Sequence, residues 1–187
     1  MTDRRKLLTA TFLGVSIAVM KAPFHWPITD YLIILEAPIL GLSFLLLGRG
    51  GATYAGFVNG ALQSAVKVEY FPWVLVFGVS YGILIDFFCT ILQARTEEST
   101  SVRRMASALA LASMVTGLGI AYAVLSLGVY LGPTVASVAT LTQSQLIDFV
   151  YLPIVAWGIL SGGIAGFISA RVWERNLKSR FKSIQTR

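Results

Sequence analysis

The chain reads as an all-α membrane protein, a six-transmembrane-helix bundle with both ends on the cytoplasmic side, and three observations predict this. Of its 187 residues, 56% are hydrophobic and 13% charged, which leaves no room for a separate soluble domain. Its apolar residues fall into six runs, 7–22, 31–47, 52–66, 70–93, 105–131 and 146–170, most of them near the ~20 residues that cross a ~30 Å hydrocarbon core. The third observation is where the positive charges lie. Arg4, Arg5, Lys6, Arg49, Arg95, Arg103, Arg104, Arg171, Arg175, Lys178, Arg180, Lys182 and Arg187 fall on one side of six such spans, and only Lys21 and Lys67 on the other. Positive residues accumulate inside, so the first group is cytoplasmic. Residues 1–187 form a single membrane domain, of which 171–187 is a basic cytoplasmic tail.

The elements follow in order. Arg4, Arg5 and Lys6 before the first run imitate a secretory signal, but Met20, Lys21, Ala22 and Pro23 do not make a small-x-small cleavage site. A retained first span is expected. The outer loop 23–30 contains two prolines, two aromatics, His25 and Asp30, which makes it stiff and suited to cover something. Gly48-Arg49-Gly50-Gly51 is a tight inner reversal in which glycine reaches backbone angles other residues avoid. The polar stretch 94–104 separates four spans from the last two. The outer segment 132–145 is only mildly polar. Beyond Arg171, Trp173, Leu177, Phe181 and Ile184 alternate with basic residues, as an interfacial amphipathic helix would.

Small residues recur at every fourth position in three spans: Ala10, Gly14 and Ala18; Ala52, Gly56, Gly60 and Ser64; Gly158, Gly162 and Gly166. Such stripes let helix backbones approach closely, and in lipid packing rather than water expulsion drives association. Internal packing is the expectation for the third and sixth spans. The stripe of the first span admits both internal packing and docking of a partner protein.

Ionisable residues inside spans are costly and mark sites. Glu36 lies about 9 Å below the outer surface at a ~1.5 Å rise per residue, where it either snorkels to the interface or faces a cavity. Asp86, about 20 Å below Trp73 on the same arithmetic, reads as an inter-helix polar anchor or a cytoplasmic contact ahead of a ligand contact. In the outer half, Asn59 and Gln63 share one face of the third span and Trp73, Phe77 and Tyr81 one face of the fourth. Tyr122, Ser126 and Tyr130 share a face of the fifth, and Asp148 and Tyr151 begin the sixth. Converging beneath His25, Trp26 and Asp30 of the loop, these would line a pocket of flat walls and few polar groups, suited to a small heteroaromatic solute. For Tyr70, Trp73, Tyr130 and Tyr151 an ordinary interfacial aromatic belt is the competing reading. Asp30, Glu36 and Asp148 outnumber Lys67 around this mouth, which favours a neutral or cationic solute.

Other classes find little in the residues. The net charge of +6 comes from loops and tail, where orientation and anionic headgroups account for it, so nucleic acid is not an expected partner. One cysteine and one histidine leave no basis for internal disulfides or a multi-histidine metal site. No metalloprotease, nucleophile-elbow or Walker motif occurs, so neither enzyme activity nor a cofactor is expected.

Two stretches carry a resemblance. Ala10-x-x-x-Gly14-x-x-x-Ala18, and the run from Thr29-Asp30-Tyr31 through Leu47-Gly48-Arg49-Gly50-Gly51 into Ala52, Gly56, Asn59 and Gly60, resemble the S components of energy-coupling factor transporters. At the turn, Arg-Gly-Gly stands where many members have Phe-Gly-Pro. The resemblance implies a prokaryotic plasma-membrane subunit that captures a water-soluble vitamin or its precursor with no ATPase of its own. It further implies a coupling transmembrane subunit, docked on Ala10, Gly14 and Ala18, and two cytosolic ATPases. A stand-alone small-solute transporter or channel, or a sensory membrane protein, is the alternative, in which that stripe serves self-association.

The topology is tested by reporters inserted after Thr29, Gly50, Glu69 and Glu98. External signal is expected at Thr29 and Glu69 and cytoplasmic signal at Gly50 and Glu98; the reverse at either inner position would remove the six-span arrangement.

Overall fold

The computed structural model describes residues 3–24, 32–68, 71–95, 100–127 and 151–178. Six α-helices account for most of these: α1 (Asp3–Lys21), α2 (Ile33–Leu47), α3 (Gly51–Val66), α4 (Trp73–Ile91), α5 (Val102–Leu127) and α6 (Leu152–Val172). No strand occurs among the described residues, only one isolated antiparallel bridge between Arg95 and Thr100. Trp73–Ile91, Val102–Ala123 and the continuous stretch Leu152–Leu177 are long and apolar enough to cross a membrane, and Ile33–Leu47 is a shorter apolar helix. Side-chain placement agrees with a lipid surround. Leu8, Phe12, Phe57, Ile83, Phe87, Leu160 and Phe167 are exposed, while Ser43, Asn59, Gln63, Ser113, Ser161 and Ser169 are buried. A water-soluble bundle would reverse that order, since burying large apolar groups is its main driving force.

The helices follow one another around a closed ring in the order α1, α3, α4, α5, α6 and α2, and α2 also reaches across to α3, α4 and α5. Helix α2 is therefore the centre of the packing. Of its large apolar side chains, Leu40, Phe44, Leu45 and Leu46 are buried and Leu35 is exposed. The hydroxyl of Ser169 in α6 donates to the Pro38 carbonyl of α2 at 3.0 Å.

The small-residue stripes of α3 and α6 bring backbones together as the spacing predicts. A Cβ on Gly56 would strike the Gly78 carbonyl of α4, and one on Gly82 would lie 2.7 Å from Thr53 Cα of α3. Along α6, a Cβ on Gly158 would come within 2.8 Å of Met114 Cα, and one on Gly162 within 2.7 Å of Ala110 Cα, both on α5. These two pairs, α3 with α4 and α5 with α6, are the closest contacts of the bundle.

The α1 stripe is resolved in favour of internal packing. Ala10 and Ala18 are buried, and a Cβ on Gly14 would lie 2.7 Å from the Ala55 carbonyl oxygen and 2.8 Å from Val58 Cβ of α3. Thr11 and Tyr54 join the same two helices by a hydroxyl hydrogen bond of 2.8 Å. Helix α3 thus occupies the Gly14 face of α1. The stripe that α1 turns outward is Leu8, Phe12 and Val19.

At one end of the bundle, Gly48 and Gly50 take the positive φ values 81° and 85° that reverse the chain between α2 and α3. Helix α3 has no side-chain cap of its own. Asp86 of α4 supplies one: its carboxylate accepts from the Ala52 and Thr53 amides at 3.2 and 2.8 Å and from Thr53 Oγ1 at 2.6 Å. A carboxylate at a helix N-terminus satisfies otherwise orphaned N–H groups and the positive end of the helix dipole. Asp86 is thus the inter-helix anchor its position suggested. At the same end, the Arg95 guanidinium donates to the Leu45 carbonyl in the last turn of α2 and lies 5.5 Å over the Trp173 ring. Burial lowers its pKa from the ordinary arginine value, which still leaves it charged. Trp173 is buried, and Trp173–Leu177 continues α6 as a π-helical turn. Up to Lys178 the tail therefore extends α6 and does not break away as a separate interfacial helix; Phe181 and Ile184 lie outside the described residues.

Because the Gly14 face is filled by α3, Gly14→Leu is expected to destabilise the isolated protein by on the order of 3 kcal/mol through overpacking. Thermal unfolding in detergent checks this. An unchanged melting temperature would mean that the stripe is open to a partner.

Candidate functional site

At the opposite end from the glycine turn, α1, α2 and α3 enclose a chain of polar side chains. Glu36, one turn into α2, is 2% exposed. Its Oε2 accepts from Lys21 Nζ, at the last residue of α1, at 2.6 Å. Its Oε1 accepts from Asn59 Nδ2 of α3 at 2.9 Å. Gln63, the next turn of α3, donates through Nε2 to Asn59 Oδ1 at 2.7 Å, which fixes the orientation of the Asn59 amide. Lys67, just past the end of α3, donates to the Lys21 carbonyl at 3.1 Å and also to that of Phe24. A lysine at these carbonyls offsets the negative end of the α1 dipole.

Glu36 is buried between Lys21 and Asn59. It does not snorkel. An ion pair removed from water is favourable only when its remaining hydrogen-bonding capacity is met, and Asn59 meets it here. A second buried polar pair joins α4 to α5. Tyr81 is 2% exposed, and its hydroxyl shares a 2.7 Å hydrogen bond with Ser113 of α5. Nearby in sequence, Thr116 is buried with a hydroxyl that has no partner among the described residues, and the same is true of Ser64 on α3.

Other expected site residues are distributed differently. Trp73 and Phe77 are half-buried, with ring centroids 6.3 Å apart. Tyr151 is half-buried. Tyr122 is 57% exposed, so α5 does not bring it to the polar cluster. Nine residues separate it from Ser113, and at ~3.6 residues per turn that is half a turn away, on the opposite face. His25, Trp26, Asp30 and Asp148 lie outside the described residues, as does the side chain of Ser126. Among the described residues, no group of three or more His, Cys, Asp and Glu side chains is placed to hold a metal ion.

Sequence reasoning missed Lys21 as the partner of Glu36, Ser113 as the partner of Tyr81, and Thr53 as the partner of Asp86. A signal existed for two of them. Lys21 closes an apolar run at the same end of the spans as Glu36, and Ser113 with Thr116 forms an i, i+3 polar pair in a largely apolar span.

Comparison with protein-family models, with curated proteins and with solved structures yields no match, so the chemistry of the cluster rests on its own geometry.

Breaking one side of a buried ion pair costs about 3–5 kcal/mol, because it leaves an uncompensated charge. Lys21→Met is expected to approach that loss and Glu36→Gln to cost less, since Lys21 can swing its ammonium out to water. The double variant should recover most of the stability lost by Lys21→Met. Unfolding of the four proteins in detergent measures the coupling; strict additivity would show that the pair is not energetically joined.

Proposed function

We propose that this chain is a substrate-capture membrane subunit for uptake of a small water-soluble molecule of the vitamin or vitamin-precursor kind. It spans the plasma membrane of a prokaryote six times with both ends inside, and a separate ATP-driven module drives it, as the resemblance to S components implies. The observation that carries this reading is the buried relay Lys21, Glu36, Asn59 and Gln63, a charged pair and two amides enclosed by three helices. Ionisable groups kept at such a depth are expensive and are retained for a site. A preformed set of few, oriented polar groups is what recognition of a small solute requires. The loop with His25, Trp26 and Asp30 covers the outer end in this reading, and Trp73, Phe77 and Tyr151 line the approach.

The coupling subunit meets α1 on its outward stripe, Leu8, Phe12 and Val19, since Ala10, Gly14 and Ala18 are buried and Gly14 packs on α3. A stand-alone small-solute transporter or a sensor is the second reading, in which no coupling subunit meets α1. Copurification with an ATPase pair separates the two.

Native mass spectrometry of the protein extracted from its own membranes is expected to reveal a bound small molecule. Asn59→Ala and Tyr81→Ala should each weaken it by roughly tenfold or more, the effect of losing one buried hydrogen bond or ring contact. A ligand indifferent to both substitutions would place the site elsewhere, and the lack of any ligand would favour the sensor.

A further inference from the structure

The two oxygens of Glu36 are held by partners of unlike standing. Oε1 is bound by Asn59, whose amide is itself fixed by Gln63, and both lie on one rigid helix and are 2% and 5% exposed. Oε2 is bound by a flexible chain: Lys21 is the last residue of α1, and its side chain is 13% exposed against 3% for that of Glu36. The ammonium therefore reaches the carboxylate from the rim of the bundle. Lys67 is engaged at the Lys21 and Phe24 carbonyls, which fixes the backbone from which Lys21 extends.

From this asymmetry, the geometry points to Glu36 as a recognition site for an organic ammonium or protonated amidine, with Lys21 holding the place of the solute's N–H donor. This deepens the capture reading and rests on it. A solute with a charged N–H group can take over Oε2 while Oε1 stays pinned. Lys21 then turns outward, where its ammonium regains water. The exchange leaves the carboxylate paired throughout, so the cost of stranding a buried charge is not incurred. An anion would meet repulsion at Glu36, and a quaternary ammonium would bring charge with no donor for Oε2.

The test uses the full chain in lipid nanodiscs and three probes that share one ring: benzylammonium, benzyltrimethylammonium and benzoate. Calorimetric titration of the wild type should show benzylammonium binding at least about tenfold more tightly than the other two, the difference made by one charge-assisted hydrogen bond. Lys21→Met removes the internal competitor and should tighten benzylammonium by about tenfold; Glu36→Gln should abolish its preference over benzoate. If Glu36→Gln does not fold, Asn59→Leu replaces it, and affinity for benzylammonium should fall because Oε1 loses its donor. Equal binding of the three probes to the wild type, or unchanged affinity in Lys21→Met, overturns the assignment, and the wild-type comparison depends on no variant's folding. A neutral or anionic metabolite found on the purified protein, with no discrimination among the probes, overturns the ammonium site and leaves capture standing. If no solute of any charge binds, both fall.

Discussion

In a bilayer, two helices gain nothing by hiding leucines from lipid, so a bundle holds together only where backbones can come close enough to pack. Every other feature of this molecule depends on that constraint. Gly56, Gly78 and Gly82 bring α3 against α4, and Gly158, Gly162 and Gly166 bring α5 against α6. Between these two tightly joined pairs sits α2, in contact with all the other helices. Many large apolar residues face outward, among them Phe12, Phe57, Phe87 and Phe167, while alanine, serine and glycine share the interior with Ile17, Tyr81, Ile85, Met105, Leu109 and the apolar face of α2.

A core made this way has little apolar bulk to define which helix goes where, and three polar ties supply that definition. Asp86 caps α3 from α4. Arg95 ties the last turn of α2 to the α4–α5 connection and to Trp173. The Lys21, Glu36 and Asn59 relay joins α1, α2 and α3 at the other end. The first two act on helix termini, where orphaned backbone groups need partners whatever the protein does. The third is different. It joins a carboxylate in the first turn of α2 to an ammonium at the last residue of α1, and it alone of the three ties pairs two opposite side-chain charges; this difference is why the functional reading rests on Glu36 rather than on Asp86.

The two ends also differ in how their charges are held. The Arg95 guanidinium lies flat on an aromatic ring and reaches a carbonyl, an arrangement with little freedom. The Lys21 ammonium sits at the end of a four-carbon stem at the edge of the bundle, so its position can change without moving a helix.

The sequence by itself determined the all-helical membrane character, most helix limits to within a few residues, the glycine reversal at Gly48 to Gly51, and the internal use of the α3 and α6 stripes. These are properties of a segment alone: hydropathy, glycine geometry and four-residue spacing are set by the chain locally and survive whatever it packs against. Only the tertiary structure decided that α3 fills the groove of α1, that Lys21 rather than a loop group neutralises Glu36, and that Tyr122 faces outward while Ser113 faces in. Each depends on which surface a neighbouring helix presents. In an interior of small residues several rotations of a helix are nearly equal in apolar burial, so hydrogen bonds and close backbone contacts between helices distant in sequence make the choice.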